Sequence, residues 1–120
     1  MEAAVTERNP VSPITLSLET IFELLSERRR RYTLYALYET ENDGIYLDEP
    51  ASHVAQLEAP DDQSSTEPVE PYLQEQCLPT LADANVINYD PRTNAVHYWQ
   101  NPSLEEWVEH AAFKENKLDW

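Results

Sequence analysis

Two β-rich segments constrain this chain more than any other feature. Val86–Asp90 and Ala95–Trp99 are rich in β-branched and aromatic residues, and Pro91–Asn94 between them favours a turn. Segments in this order predict one short, twisted β-hairpin with an exposed tip. Most of the other apolar residues recur at helical spacing. The sequence therefore predicts a fold class that is mainly α with a small β-hairpin.

Amphipathic spacing predicts a first helix behind Ser17, which is placed to cap it. Its apolar residues fall at i, i+3, i+4 and i+7 on one face: Leu18, Ile21, Phe22 and Leu25. A second, central helix is predicted from the arginine run Arg28–Arg31 through a segment rich in tyrosine and leucine. Gly44 is the one glycine of the chain and suits a turn after this helix, before a short strand at Ile45–Leu47.

Two further helices are predicted between that strand and the hairpin, the third at 50–57 and the fourth from Val69. Pro79 lies inside the fourth helix, where a proline removes one hydrogen bond and crowds the carbonyl group four residues back. We therefore expect a kink or a break near Glu75–Leu78. Asn85 tolerates a left-handed backbone, so it is expected to end this helix.

The last predicted helix follows a capping box at Ser103–Glu106. Its apolar face consists of Leu104, Trp107, Val108 and Ala111. Because Phe113, Leu118 and Trp120 add apolar residues beyond what one small core absorbs, we predict a homodimer that uses this helix, alone or together with the first helix. The expected organisation is a flexible N-terminal arm at 1–15, a folded domain at 16–100 and a C-terminal helix at 101–120.

Helices followed directly by a hairpin are the element order of a winged helix-turn-helix domain, and two segments sharpen the resemblance. The opening of ArsR-like winged-helix domains is similar to residues 18–38, LETIFELLSERRRRYTLYALY. The end of a recognition helix running into the wing is similar to residues 77–99, CLPTLADANVINYDPRTNAVHYW. With its acidic composition, the chain resembles a haloarchaeal winged helix-turn-helix family. The resemblance covers about 16–100 and implies a DNA-binding transcriptional regulator.

Two positions depart from that family pattern. Asn85 stands where such domains usually have glycine, which is a mild change because asparagine also tolerates the cap conformation. The region of the recognition helix, Glu67–Ala84, carries glutamate and aspartate but no lysine, arginine or histidine. An acidic helix at this position argues against DNA reading by that helix.

The charge of the chain bears on its partners. The sequence has 23 Asp and Glu against 8 Lys and Arg, a formal net charge of −15. The acids are spread from Glu2 to Asp119, and this dispersion favours a surface adapted to molar salt over a DNA mimic or an acidic interaction surface. In dilute buffer the net charge disfavours nucleic acid. At about 1 M salt the Debye length is only about 3 Å, so local arginines could still contact a duplex.

The candidate DNA contacts are the cations and amides near the expected duplex: Arg28, Arg29, Arg30, Arg31, Gln74, Gln76, Arg92 and Asn94. Four arginines at a helix start could bind phosphates. Alternatively they pair within the chain, since Glu27 and Arg31 have the favourable i, i+4 spacing. Arg92 at the hairpin tip resembles the wing arginine that enters a minor groove, or it is simply solvated.

The function expected from these observations is a winged-helix transcriptional regulator that binds double-stranded DNA at high salt. The alternative is a non-catalytic acidic protein-interaction module on the same scaffold, which meets a basic protein partner with its fourth helix. A continuous negative potential on that helix and the wing would favour the interaction module.

No motif predicts catalysis, a cofactor or a metal. His53, His97 and His110 lack the spacing of ligands on one helix face. Cys77 lies on the apolar side of the fourth helix, where we expect a buried structural thiol. One glycine cannot build a glycine-rich phosphate loop. No apolar run approaches the length of a membrane span, and we expect a cytoplasmic protein.

Overall fold

The computed structural model describes residues 16–40, 44–59 and 68–117. Its elements in chain order are α1 (Leu18–Ser26), α2 (Arg28–Glu39), β1 (Gly44–Tyr46), α3 (Asp48–Glu58), α4 (Val69–Tyr72 and Leu78–Asp83, joined by a π-helical turn at Leu73–Cys77), β2 (Ile87–Asp90), β3 (Ala95–Tyr98) and α5 (Pro102–Glu115). The predicted fold class, mainly helical with a small β-hairpin, is confirmed. The predicted arm at 1–15 and two of the apolar residues after α5, Leu118 and Trp120, lie outside the described residues.

β3 is the middle strand of a three-stranded antiparallel sheet with the order β1-β3-β2. Val96 is paired with Ile45 of β1 on one side and with Tyr89 of β2 on the other. Two helices, α3 and α4, come between β1 and β2 along the chain, and the β2–β3 hairpin follows them. This connectivity is the winged helix-turn-helix arrangement, with α4 in the place of the recognition helix and the hairpin as the wing.

The helix α2 lies at the centre of the core. Its consecutive residues from Tyr32 to Leu37 are all buried, because α1 and α5 as well as α3 and α4 pack against it. A helix that is covered all round needs apolar or hydrogen-bonded side chains on every face. Thr33 meets this need by donating its hydroxyl to the Arg29 carbonyl group at 2.7 Å. The predicted central position of this helix is confirmed.

The buried face of α1 differs from the predicted one. Ser17 caps the helix as expected, accepting the Thr20 N–H at 3.1 Å, a contact worth about 1 kcal/mol. The fully buried residues of α1 are Ile21 and Leu24. Leu18 and Phe22 are 55% and 49% exposed, so the prediction that they face the core is wrong. The helix is rotated so that Leu24 faces the core, which leaves Leu18 and Phe22 of the predicted apolar face in solvent.

The predicted irregularity in α4 is confirmed. The Leu78 N–H donates to the Leu73 carbonyl group, five residues back, within a π-helical turn. Pro79 has no N–H and its ring would crowd the Glu75 carbonyl group in a regular helix, so the wider turn accommodates it. Asn85 ends the helix with φ of 64°, and the Val86 N–H then reaches the Leu81 carbonyl group at 3.0 Å. This is the predicted left-handed cap.

The start of α5 differs from the predicted capping box. Asn101 is the N-cap, and its side-chain oxygen accepts the Leu104 N–H at 3.0 Å. Pro102 occupies the first turn, where its missing N–H costs nothing. The prediction that Ser103 caps this helix is therefore wrong, because the helix begins two residues earlier than expected and Ser103 lies inside its first turn.

The predicted dimer face of α5 is largely occupied within the chain. Leu104 and Val108 are 0% and 1% exposed and belong to the core beneath α5. They are not available to a second copy, because α5 needs them to cover α2. Trp107 and Ala111 are partly buried at the edge of the same core. The homodimer itself stays a prediction.

Within the described ranges, no helix is long and apolar enough to cross a bilayer.

Candidate functional site

The arginine run at the start of α2 is bound within the molecule, beginning with Arg29. Its Nε donates to Glu58 Oε2 at 2.7 Å and its Nη2 to Glu58 Oε1 at 3.0 Å. Both side chains are only 4% exposed. The Tyr72 ring lies 5.0 Å from the Arg29 guanidinium group. The hydrogen bonds to Glu58 raise the pKa of Arg29. Arg29 therefore ties α2 to the end of α3, and it does not face solvent.

The neighbouring arginine Arg28 shares the same carboxylate. Its Nη2 lies 3.5 Å from Glu58 Oε2, and its side chain is 29% exposed. Glu58 is the last residue of α3, where the negative end of the helix dipole also favours nearby cations. Two guanidinium groups thus converge on one buried carboxylate.

Arg30 binds the C-terminal end of α1. Its Nε donates to the Leu24 carbonyl group at 3.0 Å and its Nη2 to the Glu23 carbonyl group at 2.6 Å. The last carbonyl groups of a helix lack partners within the helix, so this arginine satisfies two of them. Its backbone N–H donates to Glu27 Oε1 at 2.9 Å, which makes Glu27 the N-cap of α2.

Arg31 joins α2 to α5. Its Nε and Nη2 donate to Glu115 at 3.0 and 2.8 Å, and its Nη1 donates to the Leu25 carbonyl group at 2.8 Å. Burial alone would raise the pKa of Glu115, but hydrogen bonds from Arg31 and Tyr35 outweigh it and lower that pKa. The predicted pairing within the chain is therefore present. The acid is Glu115, however, and not Glu27, which caps α2.

The outward face of α4 carries carboxylates. Its exposed residues are Glu70, Pro71, Glu75, Gln76, Pro79 and Asp83. A shallow groove of about 320 Å³ runs along this face, lined by Pro68, Pro71, Tyr72, Glu75 and Gln76. Of the two glutamines predicted to reach base edges, Gln76 is exposed in this groove. Gln74 is half-buried and donates to Asn94 Oδ1 at 3.4 Å, toward the wing.

Asn94, predicted as a DNA contact, lies in the turn of the wing and makes hydrogen bonds that hold the turn in place. Its backbone has φ of 64°, and its N–H closes the turn onto the Asp90 carbonyl group at 2.7 Å. Its Oδ1 accepts the Tyr89 hydroxyl at 3.1 Å, and its carbonyl group accepts the Leu47 N–H at 2.9 Å. The side chain is therefore engaged with Tyr89 of β2 and Gln74 of α4, while the backbone carbonyl group binds the residue that follows β1. The tolerance of asparagine for positive φ is the signal in the sequence that indicates such a role.

Of the arginines predicted as DNA contacts, Arg92 extends from the surface. It lies at the hairpin tip with its side chain 85% exposed, and its Nη2 is 3.6 Å from Asp90 Oδ2. Among the described residues, Arg92 and Lys114 are the cations whose side chains are exposed. They belong to different elements, the wing and α5. The described surface therefore has no basic patch built from several cations.

Three tyrosine–glutamate hydrogen bonds hold α5 in place, and no local sequence pattern indicates them. Tyr35 donates to Glu115 at 2.7 Å and Tyr98 to Glu105 at 2.8 Å. Tyr38 donates to Glu109. Burial raises the pKa of Tyr38 to about 12 and also raises the pKa of Glu105. These tyrosines thus join α5 to α2 and β3.

Cys77 and His53 lie in separate parts of the described structure. Cys77 is buried as expected, and burial raises the pKa of its thiol to about 12, which leaves it protonated and unreactive. His53 Nε2 lies 3.6 Å from Glu39 Oε1 beside Glu49, in a cleft of about 340 Å³ between α2 and α3. The described residues contain no group of three or more metal-ligating side chains.

A family model matches more than half of this chain. A family model described as "Domain of unknown function (DUF7344)" matches residues 22–97, which run from α1 through the arginine run and α4 to the end of the wing. No curated protein and no solved structure matches the chain. The resemblance to ArsR-like winged-helix domains stays a prediction. Because the matched region is more than half of the chain, the protein belongs to the DUF7344 family.

Proposed function

We propose that this protein is a non-catalytic acidic protein-interaction module on a winged-helix scaffold, and that the outer face of α4 binds a basic segment of a partner protein. One observation carries the proposal. The helix in the recognition position exposes Glu70, Glu75 and Asp83, and no cation accompanies them on α4. A carboxylate face repels the phosphates of a duplex and attracts lysine and arginine.

The arginine run supports this proposal because its groups are engaged elsewhere. Phosphate binding by Arg29 would require its withdrawal from Glu58, which would leave a buried carboxylate without its bidentate partner. Removing one partner of a buried ion pair costs about 3–5 kcal/mol. A few phosphate contacts do not offset that cost readily at high salt, where counterion release contributes little.

The groove on α4 suits an extended basic segment. Pro71 and Tyr72 offer apolar surface, and Glu75 lies on the same groove. The aliphatic stem of an arginine or lysine packs on such a surface while its charged head reaches a carboxylate. The arrangement therefore provides both contacts that a basic side chain makes.

The test uses a labelled, extended peptide of alternating arginine and serine, titrated with the full chain. The KCl concentration is the lowest at which circular dichroism shows the fold unchanged. In the test variant, Glu70→Gln, Glu75→Gln and Asp83→Asn remove three carboxylates from α4. The matched control, Glu39→Gln, Asp48→Asn and Glu49→Gln, removes three exposed carboxylates from α2 and α3.

We expect the α4 variant to bind the peptide about ten-fold more weakly, which corresponds to about 1.4 kcal/mol. The control should lose much less, because its carboxylates lie on α2 and α3 and not on the outer face of α4. Equal weakening of both variants would show a response to net charge alone and would overturn the proposed role of α4.

A duplex-DNA-binding transcriptional regulator adapted to high salt is the second candidate. The observation in its favour is Arg92, which extends 85% exposed from the tip of the wing. Wing arginines can enter a minor groove. If this candidate holds, wild type binds a fragment of genomic DNA in about 1 M KCl, where charge repulsion is screened, and Arg92→Ala weakens that binding without changing the melting temperature.

A further inference from the structure

Apolar and aromatic side chains of α1 and α5 lie next to one another across the boundary of the two helices, on a surface separate from the groove of α4. We call it the α1–α5 strip, and its members are Leu18, Phe22, Trp107, His110 and Phe113. The Phe22 and Trp107 rings meet edge to face with centroids 5.1 Å apart, and the Trp107 and His110 rings are 6.3 Å apart at 90°. The contacts join the two helices across their boundary.

Sequence spacing extends this surface at both ends. Leu18 stands four residues before Phe22 on α1, and Phe113 stands three residues after His110 on α5, so each pair shares a helix face. Leu18, Phe22 and Phe113 are 55%, 49% and 65% exposed. Among the described residues they are three of the four large apolar side chains that are exposed, the fourth being Tyr46. Single exposed apolar residues are normal, but a contiguous set marks an interaction site.

The charges around the strip indicate what it binds. Exposed Glu19 and Glu23 lie beside Phe22, and exposed Glu106 lies beside His110 on α5, with Lys114 as the exposed cation of that helix. A second copy of the chain would bring a surface with the same excess of negative charge, which is unfavourable. A partner with apolar residues in the centre and positive charges on both sides matches the strip in polarity and in charge.

We propose that the α1–α5 strip binds an amphipathic helix of a partner protein whose apolar side is flanked by lysine or arginine. Helices bind in this way by placing residues at i, i+3, i+4 and i+7 against an apolar surface. Exposed phenylalanine and a partly exposed tryptophan supply the large, rigid contacts that dominate such interfaces. The strip and the α4 groove are different surfaces, so this inference does not depend on the proposed role of α4.

The test measures binding of the full chain to a synthetic amphipathic helix of leucine and lysine. A control peptide has the same composition in shuffled order, so that its leucines do not share a face. The test variant is Phe22→Ser/Phe113→Ser, and Phe113→Ser alone guards against unfolding because Phe113 is 65% exposed. Tyr46→Ser is the matched control, since Tyr46 is 59% exposed and lies outside the strip. The melting temperature of each variant is measured in the same buffer.

We expect wild type to prefer the ordered peptide, Phe22→Ser/Phe113→Ser to bind it about ten-fold more weakly, and Tyr46→Ser to bind it like wild type. The inference is overturned if the shuffled peptide binds equally well or if the strip variants bind like wild type. It is also overturned if light scattering finds a dimer that the strip variants convert to a monomer, because a second copy then covers the strip.

The α4 variant with Glu70→Gln, Glu75→Gln and Asp83→Asn separates this inference from the proposed function. If it alone loses the ordered peptide while the strip variants retain it, the strip is not the site and α4 is. If it binds the ordered peptide normally but loses the arginine–serine peptide, the two surfaces act independently, as we infer.

Discussion

Arg29 and Glu58 form a bidentate ion pair between the first turn of α2 and the last residue of α3, and both side chains are 4% exposed. The arginine belongs to the most basic segment of the chain, yet its charge is neutralised inside the molecule. In this protein, the residues that looked most suited to DNA are therefore part of the folded framework.

Loss of Glu58 should destabilise the domain strongly. Glu58→Leu leaves the buried Arg29 without its carboxylate, and we expect a loss of about 3–5 kcal/mol in the free energy of unfolding. The double variant Arg29→Met/Glu58→Leu removes both charges and should be much closer to wild type. Chemical denaturation of the three proteins in the same salt measures this. A single variant within about 1 kcal/mol of wild type would contradict the importance of the pair.

Glu115 and Glu105 should respond to pH in opposite directions. The pKa of Glu115 is lowered in the folded state, so its contribution to stability is present above the ordinary carboxyl pKa and is lost as pH falls through the lowered value. Burial raises the pKa of Glu105, so its ionised form is penalised at neutral pH. Glu115→Gln should therefore destabilise the protein at pH 7, because it removes charge-assisted bonds worth about 1.5–3 kcal/mol. The stability of this variant should also fall less than that of wild type as the pH is lowered.

Glu105→Gln is the comparison variant, since its amide oxygen can still accept the Tyr98 hydroxyl. We expect it to change stability at pH 7 little or to raise it. Thermal denaturation of both variants from neutral to acidic pH checks the prediction. Equal destabilisation by the two changes at pH 7 would be inconsistent with the different environments of the two carboxyls.

Cys77 should be inert toward thiol reagents in the folded protein. It is buried and burial raises its pKa to about 12, so the reactive thiolate is scarce at ordinary pH. We expect an aromatic disulfide reagent to label it slowly under native conditions and rapidly in denaturant. Rapid labelling before unfolding would show that the thiol is accessible.

Asn94 should contribute through both its backbone and its side chain. Asn94→Gly keeps the positive φ but removes the Oδ1 contacts, and we expect a loss of about 1 kcal/mol. Asn94→Ala also brings the steric cost of a left-handed backbone, a further loss of about 1 kcal/mol. Asn85 has the same φ of 64° and an exposed side chain, so Asn85→Gly should be nearly neutral. Melting temperatures that do not follow this order would argue against a structural role of Asn94 in the wing.

The domain should lose stability as salt is removed. Its net charge of −15 is repulsive, and the Debye length grows from about 3 Å at 1 M to about 10 Å at 0.1 M salt. We therefore expect a lower melting temperature in about 0.1 M than in about 2 M KCl. Sodium chloride at matched ionic strength is the control for a specific potassium effect. An unchanged or higher melting temperature at low salt would remove the basis for salt adaptation.

Local signals predicted the elements that local physics determines. The hairpin, the cap at Asn85 and the irregularity before Pro79 each depend on residues close together in sequence. Periodicity was less exact at α1, where it could not distinguish a stripe through Phe22 from one through Leu24. Two residues able to cap a helix, Asn101 and Ser103, likewise lie within one turn of each other.

The candidate site depended on contacts that no local pattern contains. Arg29 meets an acid 29 positions away in the chain, and Arg31 meets Glu115 at a separation of 84. For Arg31, spacing alone favoured the wrong partner, Glu27, because that acid is nearer in sequence. The acidic character of α4 could be predicted from the sequence, because it depends only on which residues the helix contains.

A parallel titration of the full chain with the arginine–serine peptide and with duplex DNA most directly tests which partner this winged helix binds. Both ligands are labelled and measured in the same KCl concentration. We predict that the peptide binds, that the α4 variant weakens its binding about ten-fold, and that the duplex does not bind. A duplex that binds wild type and is lost on Arg92→Ala, together with a peptide that does not bind, would contradict the interaction module.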